Sequence, residues 1–276
     1  MPEAMERTET LPVNYVRRRY EAGELALGTY VTMPTGREID VLANAGLDFV
    51  RLDPYRFPLS AATVAEMVAA ARRAHMTPWA RVSYDPQAIK SLLDHGVQII
   101  TVPEIDSPAQ ARDLVSAVRS PPLGRRVIPA SPEAAPDAYR AWAESEVLVG
   151  CQIETAEGIA SYREIIATAG VDVIHTGRTD IANAIGLPGE QFHPRVLEVE
   201  RRIVEATLEA GKQASLLYPL TDEGLELAVK WVKLGVRIFS LDMDYRVLHR
   251  AFAQVATLMR KADGDPGAKD RARSER

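Results

Sequence analysis

Residues 147–186 read VLVGCQIETAEGIASYREIIATAGVDVIHTGRTDIANAIG. The stretch runs twice from an apolar segment through a polar turn into a helical one. Residues 147–153 are apolar and rich in β-branched side chains, the pattern of a parallel strand buried on both faces. They end in Glu154-Thr155. A helical segment over residues 159–169 follows, and Gly170 is placed to stop it as a C-terminal cap does. Residues 171–176 are the next apolar run, ending in Gly177-Arg178-Thr179-Asp180. Each run hands a carboxylate to its carboxyl end. In parallel α/β architectures that edge carries ligands and chemistry.

Two carboxylates from neighbouring strands suit a hard divalent cation, Mg²⁺ first, with Mn²⁺ or Co²⁺ as alternatives. Such an ion takes one or two carboxylates and leaves other positions to water and substrate oxygens. Gln152 shares its side of the strand with Glu154 and is placed to orient a bound group. The bland alternative is that Glu154 and Asp180 each face the positive N-terminal end of a following helix. Spacing alone leaves both readings open.

Working outward, further strand patterns occupy residues 25–31, 48–52, 77–82, 97–102, 213–218 and 236–241. Helical patterns alternate with them. Ser107 and Thr221 stand as helix-capping residues, and Pro194 suits a first helical turn. Eight strand–helix units in one chain of this length predict a TIM (β/α)8 barrel over residues 15–260, a single α/β domain. Residues 1–14 lack periodicity and are expected to be a flexible N-terminus; residues 261–276 read as a disordered polar tail. The proline-rich segment 120–136 is expected as a long loop at the barrel mouth, where substrate contacts are common.

The chain has 276 residues, 46% hydrophobic and 26% charged, ordinary for one large globular domain. A net charge of −5 gives no footing for nucleic acid or an anionic membrane surface. No apolar run nears the ~20 residues of a membrane span. The polar, acidic start does not read as a signal peptide, so a cytoplasmic protein is expected. The single Cys151 excludes an internal disulfide and, inside a strand, reads as a small core residue. There is no CxxC, HExxH, GxGxxG or Walker-type pattern, which argues against the zinc, dinucleotide and nucleotide sites built on them.

The QIET segment at residues 152–155, followed by the Gly177–Asp180 turn and Ile181-Ala182, resembles the HpcH/HpaI aldolase family. These are divalent-metal-dependent 2-oxo acid aldolases, with citrate lyase β subunits as more distant relatives. The resemblance extends over residues 15–259. It implies that Glu154 and Asp180 bind the metal. Arg81, in WARVSYDP, matches the family's arginine-bearing strand and would stabilise developing enolate or alkoxide charge.

After the second strand the family carries Asp-Gly-Glu-His, its histidine serving as acid/base partner of the aspartate. Here the residues are Asp53, Pro54, Tyr55 and Arg56. Arginine stays protonated and cannot replace the base. The proton could be moved by a metal-bound water, by Asp53, or by Tyr55 as donor. Arg56 could clamp a substrate carboxylate. The turn Gly177, Arg178, Thr179 is expected to line the substrate site, and its arginine is a second departure from the family pattern. Two added arginines point to an anionic substrate such as a dicarboxylate, unless they face solvent or pair with local acids such as Glu157. His175 can reach the pocket, although a lone strand histidine is more often packed and hydrogen-bonded.

The leading expectation is a lyase acting on a pyruvate- or oxaloacetate-like 2-oxo acid through a metal-stabilised enolate. The alternatives are non-aldol enolate chemistry (decarboxylation, hydrolysis or specialised C–C bond formation) and a non-catalytic ligand-binding relative. The C-terminal helical segment, with Val247, Leu248, Phe252, Val255, Ala256 and Leu258, is apolar enough to need more than one covered face. The resemblance implies exchange of that helix between subunits of a homo-oligomer, a hexamer or trimer of dimers.

Overall fold

In the computed structural model, which describes residues 11–128 and 136–262, the apolar runs become eight parallel strands. They are β1 (Ala26–Val31), β2 (Phe49–Leu52), β3 (Thr77–Arg81), β4 (Ile99–Val102), β5 (Leu148–Ile153), β6 (Val173–Thr176), β7 (Gln213–Tyr218) and β8 (Ile238–Met243). Each pairs with the next, and β8 returns to β1 to close the barrel. Helix α1 (Tyr15–Glu21) precedes the barrel. Helices α2 (Gly36–Asn44), α3 (Ala61–Arg73) and α4 (Pro86–Asp94) follow the first three strands, and α5 (Pro108–Val118) and α6 (Pro136–Glu146) both follow β4. Then come α7 (Ala156–Ala160) and α8 (Tyr162–Ile166), α9 (Arg178–Ala184) and α10 (Pro194–Glu209), α11 (Asp222–Leu234), and finally α12 (Asp244–Ala262). Oxygen side chains of Thr35, Ser60, Asp85, Ser107, Thr155 and Thr221 accept from amides in the first helical turns.

Strand residues alternate between two cores. Outward-facing Val50, Leu52, Ile100, Val149, Cys151 and Ile174 pack beneath the helices. Inward-facing Phe49, Trp79, Ile99, Leu148, Val173 and Ile238 fill the lower barrel, closed from below by Val16 of α1. Gly28 allows β1 to lie against β2: a Cβ there would fall 2.4 Å from the Phe49 carbonyl oxygen. Higher up the interior turns polar, with Arg51, Thr101, Gln152, His175, Ser215 and Ser240 all buried.

Three expectations need correction. The helix foreseen over 159–169 starts earlier and is broken at Ser161. Its first half is pinned at the end of β4, where Thr155 bonds Asp106 and Gly158 rides against the Ile105 carbonyl. The second half buries Tyr162, Ile165 and Ile166. Ser161 takes up the change of direction.

The described part of the loop foreseen at the mouth, residues 120–128, lies at the opposite end of the barrel, because it follows the carboxyl end of α5. In its described part and the adjoining Arg119, Arg126 reaches Asp94, and Arg119 donates to the Glu144 and Val147 carbonyls and pairs with Asp172. The flexible N-terminus foreseen over 1–14 is fixed from Pro12 onward. Trp142 donates to the Pro12 carbonyl, and buried Asn14 bonds Glu146 and caps α1. Residues 1–10, the 129–135 part of the loop and nearly all of the 261–276 tail lie outside the described residues. Among those described, no helix is long and apolar enough to cross a membrane.

One carboxyl pair ties the ends of the fold together. Asp244, at the start of α12, accepts from the amides of Thr32 and Met33. Glu38 of α2 packs against it, and burial together with the Asp244 charge pushes the Glu38 carboxyl up to about 8. The folded state therefore holds a proton that the unfolded chain releases near the ordinary glutamate value. This contribution to stability is full below that value and is lost as pH rises to about 8. Glu38→Gln should raise the melting temperature at pH 9 and change it little at pH 4. Equal shifts in both buffers would mean that Glu38 is ionised throughout.

Candidate active site

At the carboxyl ends of the strands, register decides which side chains meet. Asp53 is the first residue past β2 and Arg81 the last of β3, and both face the barrel axis. Their contact is a bidentate pair, Arg81 Nε to Asp53 Oδ1 at 2.9 Å and Nη2 to Oδ2 at 2.6 Å, with the aspartate fully buried. The Tyr30 ring lies beneath, 4.9 Å from the Arg81 guanidinium carbon. Arg81 is thereby fixed in direction with its remaining edge towards a cavity of about 420 Å³, which it lines with Arg56, Gln152, Gly177, Arg178, Thr179 and Asp180.

Strands β5 and β6 pair with Gln152 opposite His175 and Ile153 opposite Thr176, so Glu154 and the Gly177 turn stand side by side. Asp180 lies in the first turn of α9, as the dipole reading expected, and also meets Glu154. A Cβ on Gly177 would fall 2.2 Å from Glu154 Oε2 and 3.2 Å from Asp180 Oδ2. Only a glycine leaves both carboxylates their present places. Burial first, and the Asp180 charge second, push Glu154 up to about 7, while the Gln152 amide that donates to it and Arg81 oppose the rise.

This donor set fits a divalent cation. It offers two carboxylates that stand together against their own repulsion, and the buried Gln152 Oε1 beside them has no hydrogen-bond partner. Among the described residues no cluster of three or more His, Cys, Asp or Glu side chains exists. With Glu154 and Asp180 as its two anionic ligands, a cation such as Mg²⁺ would keep coordination positions for water and substrate.

The other expected residues divide. Arg56, half exposed, reaches across the mouth to Asp180 Oδ1 at 3.8 Å. The Tyr55 ring lies 5.5 Å from the Arg56 guanidinium carbon, and its hydroxyl donates to Glu104 Oε1 at 3.1 Å. Thr179 lines the cavity and lies 3.4 Å from Gln191. Arg178 is buried and paired, not with Glu157 but with buried Glu200 at 3.6 Å, and its guanidinium stacks 3.8 Å from the Tyr218 ring. Glu200 also accepts from Thr176 and Tyr218. The arginine therefore anchors the turn that carries Asp180, and Glu200 is a site-supporting residue that sequence reasoning missed. Nothing in the run of charges along α10 distinguishes it before the fold brings β6 and β7 to it.

His175 forms the floor of the cavity. It lies between Arg51 (3.1 Å) and Ser215, and burial with the charges of Arg51 and Arg81 holds it well below the ordinary imidazole range. It is a neutral, hydrogen-bonded residue. Tyr30, which lines the cavity, was also missed. Tyr30 follows from its position two residues after Gly28, on the same inward side of β1.

A family model described as HpcH/HpaI aldolase/citrate lyase matches residues 39–241. The chain is 32% identical to a pyruvate aldolase from Rhizobium etli over 89% of its own length and 97% of the relative's. It is 30% identical to a 4-hydroxy-2-oxo-heptane-1,7-dioate aldolase from Shigella sonnei, over 88% and 94% of the two chains. Among solved structures, the citrate synthase SbnG superposes with a TM-score of 0.82 at 28% identity, covering 92% of this chain and all of that one.

Gly177→Ala tests the close approach. Its φ of −113° suits any residue, so the backbone should not be strained and the fold should survive. The added methyl must displace the Glu154 carboxylate. Divalent-metal affinity by calorimetry should drop on the order of 10- to 100-fold with the melting temperature nearly unchanged. Unaltered affinity would mean that Glu154 is not a ligand.

Proposed function

The chain belongs to the HpcH/HpaI aldolase/citrate lyase family, and from that premise we propose that it is a divalent-metal-dependent aldolase. It cleaves a hydroxylated 2-oxo acid to a pyruvate-like product and an aldehyde, or joins the two. The observation that carries this is the Glu154–Asp180 pair, brought together where Gly177 leaves room for both, at the edge of a cavity that Asp180 lines with an Arg81 locked by Asp53. The aldolase relatives favour it over decarboxylation, hydrolysis or a non-catalytic role.

Glu154 and Asp180 hold the cation, for which Mg²⁺ is the ion proposed and Mn²⁺ or Co²⁺ would serve. When bound it supplies Lewis-acid polarisation of a substrate carbonyl. Arg81 places its free N–H groups towards negative charge that develops on the 2-oxo oxygen, and Asp53 keeps it from swinging to solvent. Gln152 orients Glu154. Gly177 and Thr179 shape the wall, and Arg178 fixes the turn through Glu200. Arg56, the exposed cation at the mouth, binds the carboxylate of an anionic substrate.

The preparation should lose hydroxy-2-oxo-acid cleavage on treatment with chelator and regain it with Mg²⁺, Mn²⁺ or Co²⁺. Glu154→Ala and Asp180→Ala should stay inactive under the same addition. Activity that ignores the chelator would sink this mechanism.

We also propose that the chain is a homo-oligomer, a hexamer or trimer of dimers, in which α12 packs on a second copy. Helix α12 buries only Asp244 and exposes Leu248, Phe252, Val255, Leu258 and Met259. Val41 of α2 and Leu225 and Val229 of α11, on the helices flanking β1 and β8, are exposed as well. One chain thus carries both an uncovered helix face and an uncovered flank. Light scattering should give a multiple of the monomer mass, and Phe252→Asp should lower it; a monomer in the unaltered protein refutes the assembly.

A further inference from the structure

Arg56 stands where a histidine base was expected, His175 is buried and neutral, and Asp53 is consumed by Arg81. Aldol cleavage still has to remove a hydroxyl proton and return one to carbon. The rim of the barrel carries one further pair with the chemistry for this. Glu104 is the second residue past β4, between the Arg81 strand and the Glu154 strand. It adopts a left-handed φ of 56°, uncommon for a residue with a side chain. Beyond it, the Ile105 amide bonds the Gln152 carbonyl of β5. The carboxylate accepts from the Tyr55 hydroxyl at 3.1 Å.

Tyr55 is held from two sides. Its amide donates to the Arg81 carbonyl, and its ring lies 5.4 Å from the Arg81 guanidinium carbon. Burial first and Glu104 second raise its phenol above the usual range, so at neutral pH it carries its proton and Glu104 is the acceptor.

We propose that Tyr55 and Glu104 form the proton relay of this enzyme, with Tyr55 the catalytic residue that meets the substrate hydroxyl and Glu104 the positioning residue that takes the proton through it. This rests on the aldolase reading above. In cleavage, the Tyr55 oxygen accepts the C4 hydroxyl proton as its own proton passes to Glu104. The C3–C4 bond breaks, C4 leaves as the aldehyde carbonyl, and the electron pair is carried by C3 and the C2 oxygen as an enolate. The relay then runs backwards, and the same proton equivalent reaches C3 as the pyruvate methyl group. No proton is gained or lost overall, and no co-reactant is needed.

The full chain, loaded with Mg²⁺, is assayed for hydroxy-2-oxo-acid cleavage and, by NMR in D₂O, for exchange of the pyruvate methyl protons. Tyr55→Phe and Glu104→Gln should lower both kcat and the exchange rate by on the order of 10²–10⁴. KM, metal affinity by calorimetry and melting temperature should hold. Glu104→Asp, which keeps the carboxylate, should recover part of both rates; a merely structural role would leave exchange untouched. If the unaltered protein is active and the variants exchange at its rate, the relay is wrong and the aldolase reading stands. If the unaltered protein neither cleaves nor exchanges, both fall.

Discussion

Glu154 and Asp180 bring two like charges together with Glu154 buried, and its burial with their mutual repulsion lifts Glu154 to about 7. Such a pair would relax by moving apart unless the backbone prevented it. Here it cannot move far. Glu154 is one residue past β5, Asp180 sits in the first turn of α9, and the pairing of β5 with β6 sets their separation. Gly177 lets the turn pass under both. Arg178, buried between Glu200 and Tyr218, pins that turn to α10 and β7. Much of the mouth is support for this close pair of carboxylates.

The interior below supplies part of the compensating field. Arg51 is fully buried, its guanidinium carbon 3.7 Å from the Trp79 ring, donating to the Tyr30 hydroxyl and to His175. Arg81 forms a second positive layer above it. These two cations make a protonated imidazole at His175 unfavourable, so the histidine serves as an acceptor that keeps Arg51 in place. The lower barrel, packed with Phe49, Trp79, Leu148 and Val173, contributes stability rather than chemistry.

The barrel was legible because strands buried on both faces leave a strong signal: uninterrupted runs such as residues 147–153 ending at a polar turn. The position of Glu154, Asp180 and Arg81 at the mouth was legible because each lies at or just past the end of such a run, while the roles expected of them came from the resemblance. Glu200 was not, since its role exists only after α10 folds back over β6 and β7. The end of the barrel at which residues 120–128 lie was not legible because proline content marks a loop without saying which end it occupies; that follows from whether a strand or a helix precedes it. The break at Ser161 depends on Gly158 lying against Ile105, a contact between residues far apart in sequence.

Two strand-end residues with side chains take left-handed backbone conformations, Glu104 beyond β4 and Asp242 in β8. Strain of this kind persists only where the surroundings over-determine it. At Asp242 the surroundings are plain: its buried carboxylate pairs with Arg250 at 2.5 Å and accepts from the Leu220 and Met243 amides, tying α12 to β8. Those contacts are part-buried and charge-assisted, so they offset some of the strain in stability. Glu104 is exposed, and its bond to Tyr55 at the solvent boundary returns far less. The same backbone distortion is thus balanced by packing on one side of the barrel and not on the other. For Glu104, whose bond to Tyr55 does not recover that cost in stability, the strain is consistent with the relay we propose for it at the mouth.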